Sequence, residues 1–273
     1  MRIWSGSLVG AEAEASAWRA LARPDDLEVD LGAAQGTRRA SIVTRVLATC
    51  REDAAAGATG IEDREREAWG LTLAGRIGGL AAILVLTQES AQLPLLLECP
   101  TCGEPLELGL PLDAVLALAR RAESEPVVEL ALGDGIPRRM RRPTGADQRR
   151  WHDRQYDCMD DAERALLGSL LETPAGVPEP NADTVLRIEE AMEEQDPLTC
   201  FRVSSRCISC ETATQYELDL EALLLDRLER RQRMLLREVH RLATHYGWTE
   251  TDVLSLPAWH RRAYLSMIAE GVP

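Results

Sequence analysis

The sequence predicts an α+β protein, a zinc-ribbon-like β core interrupted by a helical insertion, with helical amino- and carboxy-terminal segments. Three observations predict it. Cys99-Pro100-Thr101-Cys102 and Cys207-Ile208-Ser209-Cys210 are two Cys-x-x-Cys knuckles, each set between short apolar or alternating runs. The 104 residues between the knuckles, 103 to 206, carry a helical pattern of their own. From Glu221 a long stripe of apolar residues recurs at helical spacing. The expected division is a mostly helical region over 1–92, a ribbon core over 93–220 with an insertion at about 112–197, and a helical region over 221–273.

Two residues between cysteines let one tight turn aim both sulfurs at one ion, and two such turns supply four thiolates. Cys99, Cys102, Cys207 and Cys210 are therefore the expected ligands of one structural Zn2+. Pro100 pre-sets a turn dihedral and Gly103 can take the positive φ at the exit; the second knuckle carries Ile208 and Glu211 there instead. Closing the long loop costs about 4 kcal/mol on a logarithmic estimate. A structural zinc site contributes on the order of 10–16 kcal/mol, so the separation is affordable. A disulfide or a redox pair uses the same spacing. Pro100 and Pro105 give this knuckle turn chemistry, whereas a redox motif opens a helix. Four thiolates leave no open position for a catalytic water.

Composition narrows the function classes. The chain is 45% hydrophobic but only 4% aromatic, and all 31 of its basic residues are arginine. A net charge of −14 argues against a general nucleic-acid binder, which needs a basic face to release counterions. No apolar run is long enough to span a membrane, and Met1 to Gly6 lacks the apolar core of a secretory signal. Of seven cysteines, Cys50, Cys158 and Cys200 remain as expected buried free thiols, which suits a reducing cytoplasm.

In chain order, Glu12–Ala22 has helix-forming composition, Pro24-Asp25-Asp26 breaks it, and Leu27–Leu31 alternates like a strand. A helix is expected from Thr37, with Ile42, Val46 and Leu47 on one face, ending at Gly57 to Gly60. Another starts at Glu62 and continues through Leu86, with Gly75 to Gly79 permitting close helix packing. Strands Leu93–Leu97 and Leu106–Leu110 flank the first knuckle. The insertion reads as a helix over Leu112–Arg121, strands around an Asp134-Gly135 turn, and a capping box opened by Thr144. Helices follow over Asp160–Leu171 and from Asn181 or Asp183 to Asp196-Pro197, with a linker at Thr173–Pro180. Strands Thr199–Val203 and Thr214–Leu220 flank the second knuckle.

The Glu221–Tyr246 helix carries Leu224, Leu228, Leu235, Val239, Leu242 and Tyr246, with a break at Arg231. Thr249 caps a short helix with Asp252 three residues on, Trp248 and Val253 form a staple, and Pro257 begins the last helix. Trp259, Arg261, Arg262 and Tyr264 on that helix read either as an outward partner surface, since Trp, Tyr and Arg are enriched at binding hot spots, or with Trp259 and Tyr264 filling the local core. The Arg138 to Arg142 cluster reads either as a site for an acidic partner or as a solvated strand edge. No catalytic histidine pair, nucleophile elbow or phosphate loop is present.

Arg141-Arg142-Pro143-Thr144-Gly145-Ala146-Asp147-Gln148 resembles the Arg-x-Pro-Thr-x-x-Asp element of the contractile-phage baseplate hub assembly chaperone family, which also occurs in gene clusters for contractile injection systems. The order around it agrees: a Cys-Pro-x-Cys-Gly knuckle, this element, a helix ending in Asp196-Pro197 and a second knuckle. Leu236-Arg237-Glu238-Val239-His240-Arg241-Leu242-Ala243, Tyr246 to Leu254 and Arg261-Arg262-x-Tyr264-Leu265 then follow. The resemblance spans about 93–268 and implies a non-enzymatic role in assembling or completing a baseplate, with baseplate or hub proteins as partners. The alternatives are a zinc-ribbon regulator that binds nucleic acid and a thiol oxidoreductase.

Overall fold

The computed structural model describes residues 17–34, 38–52, 60–88, 91–131, 137–154, 156–172 and 182–271. The Gly57 end of the first long helical stretch, the Asp134-Gly135 turn, the Thr173–Pro180 linker and Asn181 lie outside the described residues, as does Glu12–Ser16.

The amino-terminal segment departs from its sequence pattern. Ala17–Ala22 is not helical, and Trp18 instead bridges Arg51. The Leu27–Leu31 strand does not form; α1 (Pro24–Leu27) and a 3-10 turn (Leu31–Ala33) take its place. Asp26 explains this. Its buried carboxylate accepts the Ala22 and Arg23 N–H groups and two bonds from Arg19, so local capping outcompetes a short alternation. Pro24 supplies the helical φ at the first position.

Next come α2 (Arg39–Thr49), α3 (Ile61–Gly70) and α4 (Leu73–Gln88). The last two were expected as one helix. They break because Leu71 is extended and Thr72 pairs with Thr144, while the Leu73 N–H donates to the Pro143 carbonyl and the Gly145 N–H to that of Leu71. Helix α4 is buried on every side from Ala74 to Leu84. A Cβ at Gly78 would sit 2.6 Å from that of Ala119, and one at Gly79 would sit 2.7 Å from Leu47, so both glycines serve close packing.

Strands β1 (Gln92–Glu98) and β2 (Pro105–Pro111) form an antiparallel hairpin around the first knuckle. The insertion holds α5 (Leu112–Ser124), the hairpin β3 (Val127–Ala131) and β4 (Pro137–Arg141), then α6 (Gly145–Asp153), α7 (Met159–Gly168) and α8 (Ala182–Gln195). Strands β5 (Arg202–Arg206) and β6 (Ala213–Glu217) form the hairpin of the second knuckle. Thr199, expected at the start of β5, lies in a turn, its N–H donating to the Asp196 carbonyl. Helix α7 stops short of Leu171, which bridges Met140 instead. The three hairpins are separate two-stranded sheets.

Helix α9 (Leu220–Tyr246) then runs about 40 Å at 1.5 Å per residue. Asp219 caps its start and Gly247, at φ 70°, ends it; α10 (Glu250–Ser255) and α11 (Ala258–Ala269) fold back after it. The expected stripe from Leu224 to Leu242 is buried, and Leu225 and Gln232 join it. Gln232 donates to the Asp26 and Val29 carbonyls, pinning the irregular amino-terminal segment to α9.

One apolar cluster draws Leu47, Leu80, Ile83, Leu95, Leu228 and Val253 together, so the core runs through all three expected regions without a seam at 92 or 220. A second, smaller cluster of Val128, Leu130, Met140, Leu170, Ile188 and Met192 lies inside the insertion.

Candidate metal centre

The two knuckles take the same turn. The Cys99 N–H donates to the Glu104 carbonyl and the Gly103 N–H to that of Cys99; likewise the Cys207 N–H donates to Thr212 and the Glu211 N–H to Cys207. The residue after each second cysteine has positive φ, 75° at Gly103 and 57° at Glu211. Glu211 is the only non-glycine with positive φ among the described residues. The absence of glycine in the second knuckle therefore does not change its shape.

The turns bring Cys99, Cys102, Cys207 and Cys210 together with all four sulfurs within 4.8 Å of one another. Two pairs cross between knuckles at 3.6 Å each, Cys99 Sγ to Cys210 Sγ and Cys102 Sγ to Cys207 Sγ. Cys99 and Cys207 are buried against Leu106, with Leu97 and Tyr216 alongside. The surroundings favour the thiolate at Cys99 and Cys210 and oppose it at Cys102. The Cys102 and Thr101 N–H groups hold the Cys99 thiol down. The Thr212 hydroxyl and N–H bring Cys210 to about 6. At Cys102 the Glu104 N–H favours the thiolate, but desolvation and bonds to Cys210 and Cys207 outweigh it and push that thiol up to about 12. Four thiols this close cannot all ionise without a cation among them.

The other cysteines divide. Cys50 is buried, and burial pushes its thiol up to about 12. Cys200 is half-buried, and Cys158, expected to be buried, is exposed where it precedes α7.

The Arg141–Gln148 segment is a joint. Arg141 grips Asp147 with two bonds of 2.6 and 2.8 Å, and Thr144 and Asp147 cap α6 reciprocally. Burial alone would push the Asp147 carboxyl up; Arg141, Thr144 and Arg150 hold it well below the usual carboxylate range. Arg142 is fully buried, donates to the Glu125 and Gln195 carbonyls and pairs with Asp196 at 2.8 Å. Beneath Gly145 lies Arg76, also fully buried, which donates to Thr44, Ala68 and Ala40 and faces Glu221 at 3.9 Å. The Arg138 to Arg142 cluster is thus no single surface: Arg139 pairs outward with Glu129 and Glu172, while Arg141 and Arg142 turn inward.

The expected partner surface on α11 also divides. Trp259 is 65% exposed and Arg262 is exposed. Arg261, by contrast, is only 3% exposed, donating to the Leu256 carbonyl at 2.6 Å and to Glu238 at 3.2 Å. Tyr264 is half-buried, stacked on His260 and edge-on to Tyr246 and Trp248. The i+3 and i+6 steps from Ala258 turn these two towards α9, a consequence of helix phase that residue type alone conceals.

No helix among the described residues is long and apolar enough to cross a membrane. Comparison with known proteins finds no matching family model, and no curated protein or solved structure with significant similarity.

Proposed function

We propose that the chain is a non-enzymatic assembly factor or accessory component of the baseplate of a contractile phage-tail-like particle, with one structural zinc ion clamping its two knuckle hairpins into a ribbon. The observation that carries the reading is the Arg141–Gln148 segment in its place between two knuckles and ahead of the long helix. That segment spends its polar groups on internal joints, which supports a scaffold role rather than chemistry at a substrate.

Zinc is supported by the fit of the four sulfurs. A tetrahedron with metal–sulfur bonds of about 2.3 Å has edges of about 3.8 Å. The 3.6 Å crossed pairs lie close to that edge. Four thiolates complete the coordination shell, so the ion has no vacant position for a water or substrate.

Two measurements test the reading. Elemental analysis of chain purified without chelator is expected to give about one zinc per molecule through four thiolates; a value near zero with reduced thiols removes the clamp. Co-expression with the sheath, tube and baseplate proteins of a contractile phage-tail-like particle is expected to yield a co-purifying baseplate component. Recovery of the chain alone from every such combination overturns the assembly reading.

A further inference from the structure

On this strongly acidic chain one groove is basic. Arg227, Arg230, Arg231 and Met234 from α9 line it, together with Ala258 and Arg262, one turn apart on α11, and the end of α4; its volume is about 350 Å³. The charges there do not balance. Glu238 serves both Arg231 and Arg261, at 3.3 and 3.2 Å, and Asp226 serves Arg230 at 2.9 Å. Arg227 donates to the Pro94 carbonyl and Arg262 to that of Ala258, and neither has a carboxylate partner among the described residues. Among the described residues, the four arginines that line the groove thus meet only the carboxylates of Asp226 and Glu238, and Glu238 is shared with the buried Arg261.

Arg227 and Arg230 also line the adjoining groove of about 730 Å³, between β1, β2 and the start of α9. Leucines form most of its wall, Leu95, Leu96, Leu97, Leu108, Leu218 and Leu223 among them, and Glu107 and Asp226 are the acidic residues beside them. Leu96 is 71% exposed. A basic trough thus leads into a leucine-lined one, and shared arginines mark the junction. Met234, half-exposed among the arginines, adds an adaptable apolar contact.

We infer that these two grooves form one docking site for an acidic amphipathic segment of a partner protein. Its carboxylates meet Arg227, Arg230, Arg231 and Arg262, and its apolar side chains lie on Leu96, Leu108 and Leu223. Guanidinium forks match carboxylates bidentately, and the leucine wall has no use for a sugar-phosphate backbone. The net charge of −14 also repels an extended polyanion such as nucleic acid, whereas a short acidic segment is held by the local excess of arginine. The inference rests on the assembly reading only in taking the partner to be a protein.

The test is a fluorescence-anisotropy titration of the full, metal-loaded chain against a labelled synthetic helix with Glu along one face and Leu along the other. A helix with Gln in place of Glu and a single-stranded DNA oligonucleotide are the comparison probes. The acidic helix is expected to bind, more weakly as salt rises, and the Gln helix to bind at least about tenfold more weakly. Arg230→Ser with Arg262→Ser should weaken the acidic helix by about tenfold, since each exposed pair contributes modestly, while the melting temperature holds. Arg237→Ser, elsewhere on α9, should change nothing.

No binding of the acidic helix, equal binding of the Gln helix, or equal binding by the double variant overturns the inference. So does DNA binding with the same arginine dependence, or self-association of the chain through those arginines. If a baseplate protein still co-purifies normally with the double variant, the groove falls and the assembly reading stands.

Discussion

The two knuckle hairpins share a turn and differ in what holds them. Hairpin β1–β2 sends Leu93, Leu95 and Leu110 into the main core, so its register is set by burial on one face. Hairpin β5–β6 alternates between half-buried and exposed residues and buries none fully. Tyr216 of β6 and the adjoining Cys207 and Cys210 meet the small cluster around Leu106, and the flanking Phe201 and Leu218 reach the main core half-buried. An isolated two-stranded hairpin is at best marginally stable in water. The first hairpin is therefore a product of the core, and the second rests on the proposed zinc clamp.

The largest expected effect follows. Removing the metal with a chelator, or replacing Cys99 or Cys207 by Ser, should cost on the order of 10 kcal/mol of binding free energy. That loss should fall on one hairpin. Hydrogen exchange should show protection lost over 202–217 and kept over 92–111 and in α4 and α9. Loss of both hairpins together would mean that the core does not hold β1–β2 without the ion.

Core substitutions sharpen the same contrast. Leu95→Ala should cost about 2–4 kcal/mol of global stability, because it opens a cavity in the main core. Val203→Ala, at a half-buried position of β5, should cost less than about 1 kcal/mol. Chemical denaturation of the metal-loaded chain measures both. Equal costs would place β5–β6 in a core of its own.

The joint at Asp147 responds to acid differently from either hairpin. Its carboxyl lies well below the usual range, with Arg141, Thr144 and Arg150 outweighing burial. The stability it supplies is present above the ordinary carboxylate pKa of about 4 and is lost as pH falls towards its depressed folded value. In Asp147→Asn, stability should be lower at neutral pH and should fall less on going below about pH 4. Thermal melts across that range, read by far-UV circular dichroism, check it. A variant whose acid dependence matches the parent would remove Asp147 from the joint.

These contrasts show where sequence was informative. Both knuckles, the strands beside the first, the Thr144 and Thr249 caps and the inward face of α8 were legible, because each depends on local spacing or on a side chain reaching its own backbone, whereas β5 lies three residues beyond the expected Thr199–Val203. Gly78 and Gly79 were legible as packing glycines, though their partners Ala119 and Leu47 were not. What local pattern could not give was set at long range. The break at Leu71–Thr72 exists because Pro143 and Thr144 dock there, and α1 replaces a strand because Asp26 collects donors from three residues. Arg261 was taken for a surface residue on its type, whereas Glu238 and the Leu256 carbonyl draw it inside. The basic groove was hidden because Arg227 and Arg262 lie on different helices and meet only in the fold.

The smallest expected effect tests the shared turn itself. Gly103 and Glu211 occupy the same place in their knuckles and both take left-handed backbone, φ 75° and 57°. A non-glycine residue pays roughly 1 kcal/mol there. Nothing lies within 4 Å of a Cβ built at Gly103, so Gly103→Ala should cost only that backbone strain, with no steric clash added. Glu211→Gly should relieve the same strain in the second knuckle, offset in part by the greater freedom of glycine in the unfolded chain. Since metal binding and knuckle folding are coupled, each change appears as metal affinity: about fivefold weaker for Gly103→Ala and up to about fivefold tighter for Glu211→Gly. Competition with a zinc chelator of known affinity resolves differences of that size. If Glu211→Gly binds metal no more tightly while Gly103→Ala binds more weakly, the two turns are not equivalent. The Glu211 side chain would then be contributing to the knuckle something that its left-handed backbone conceals.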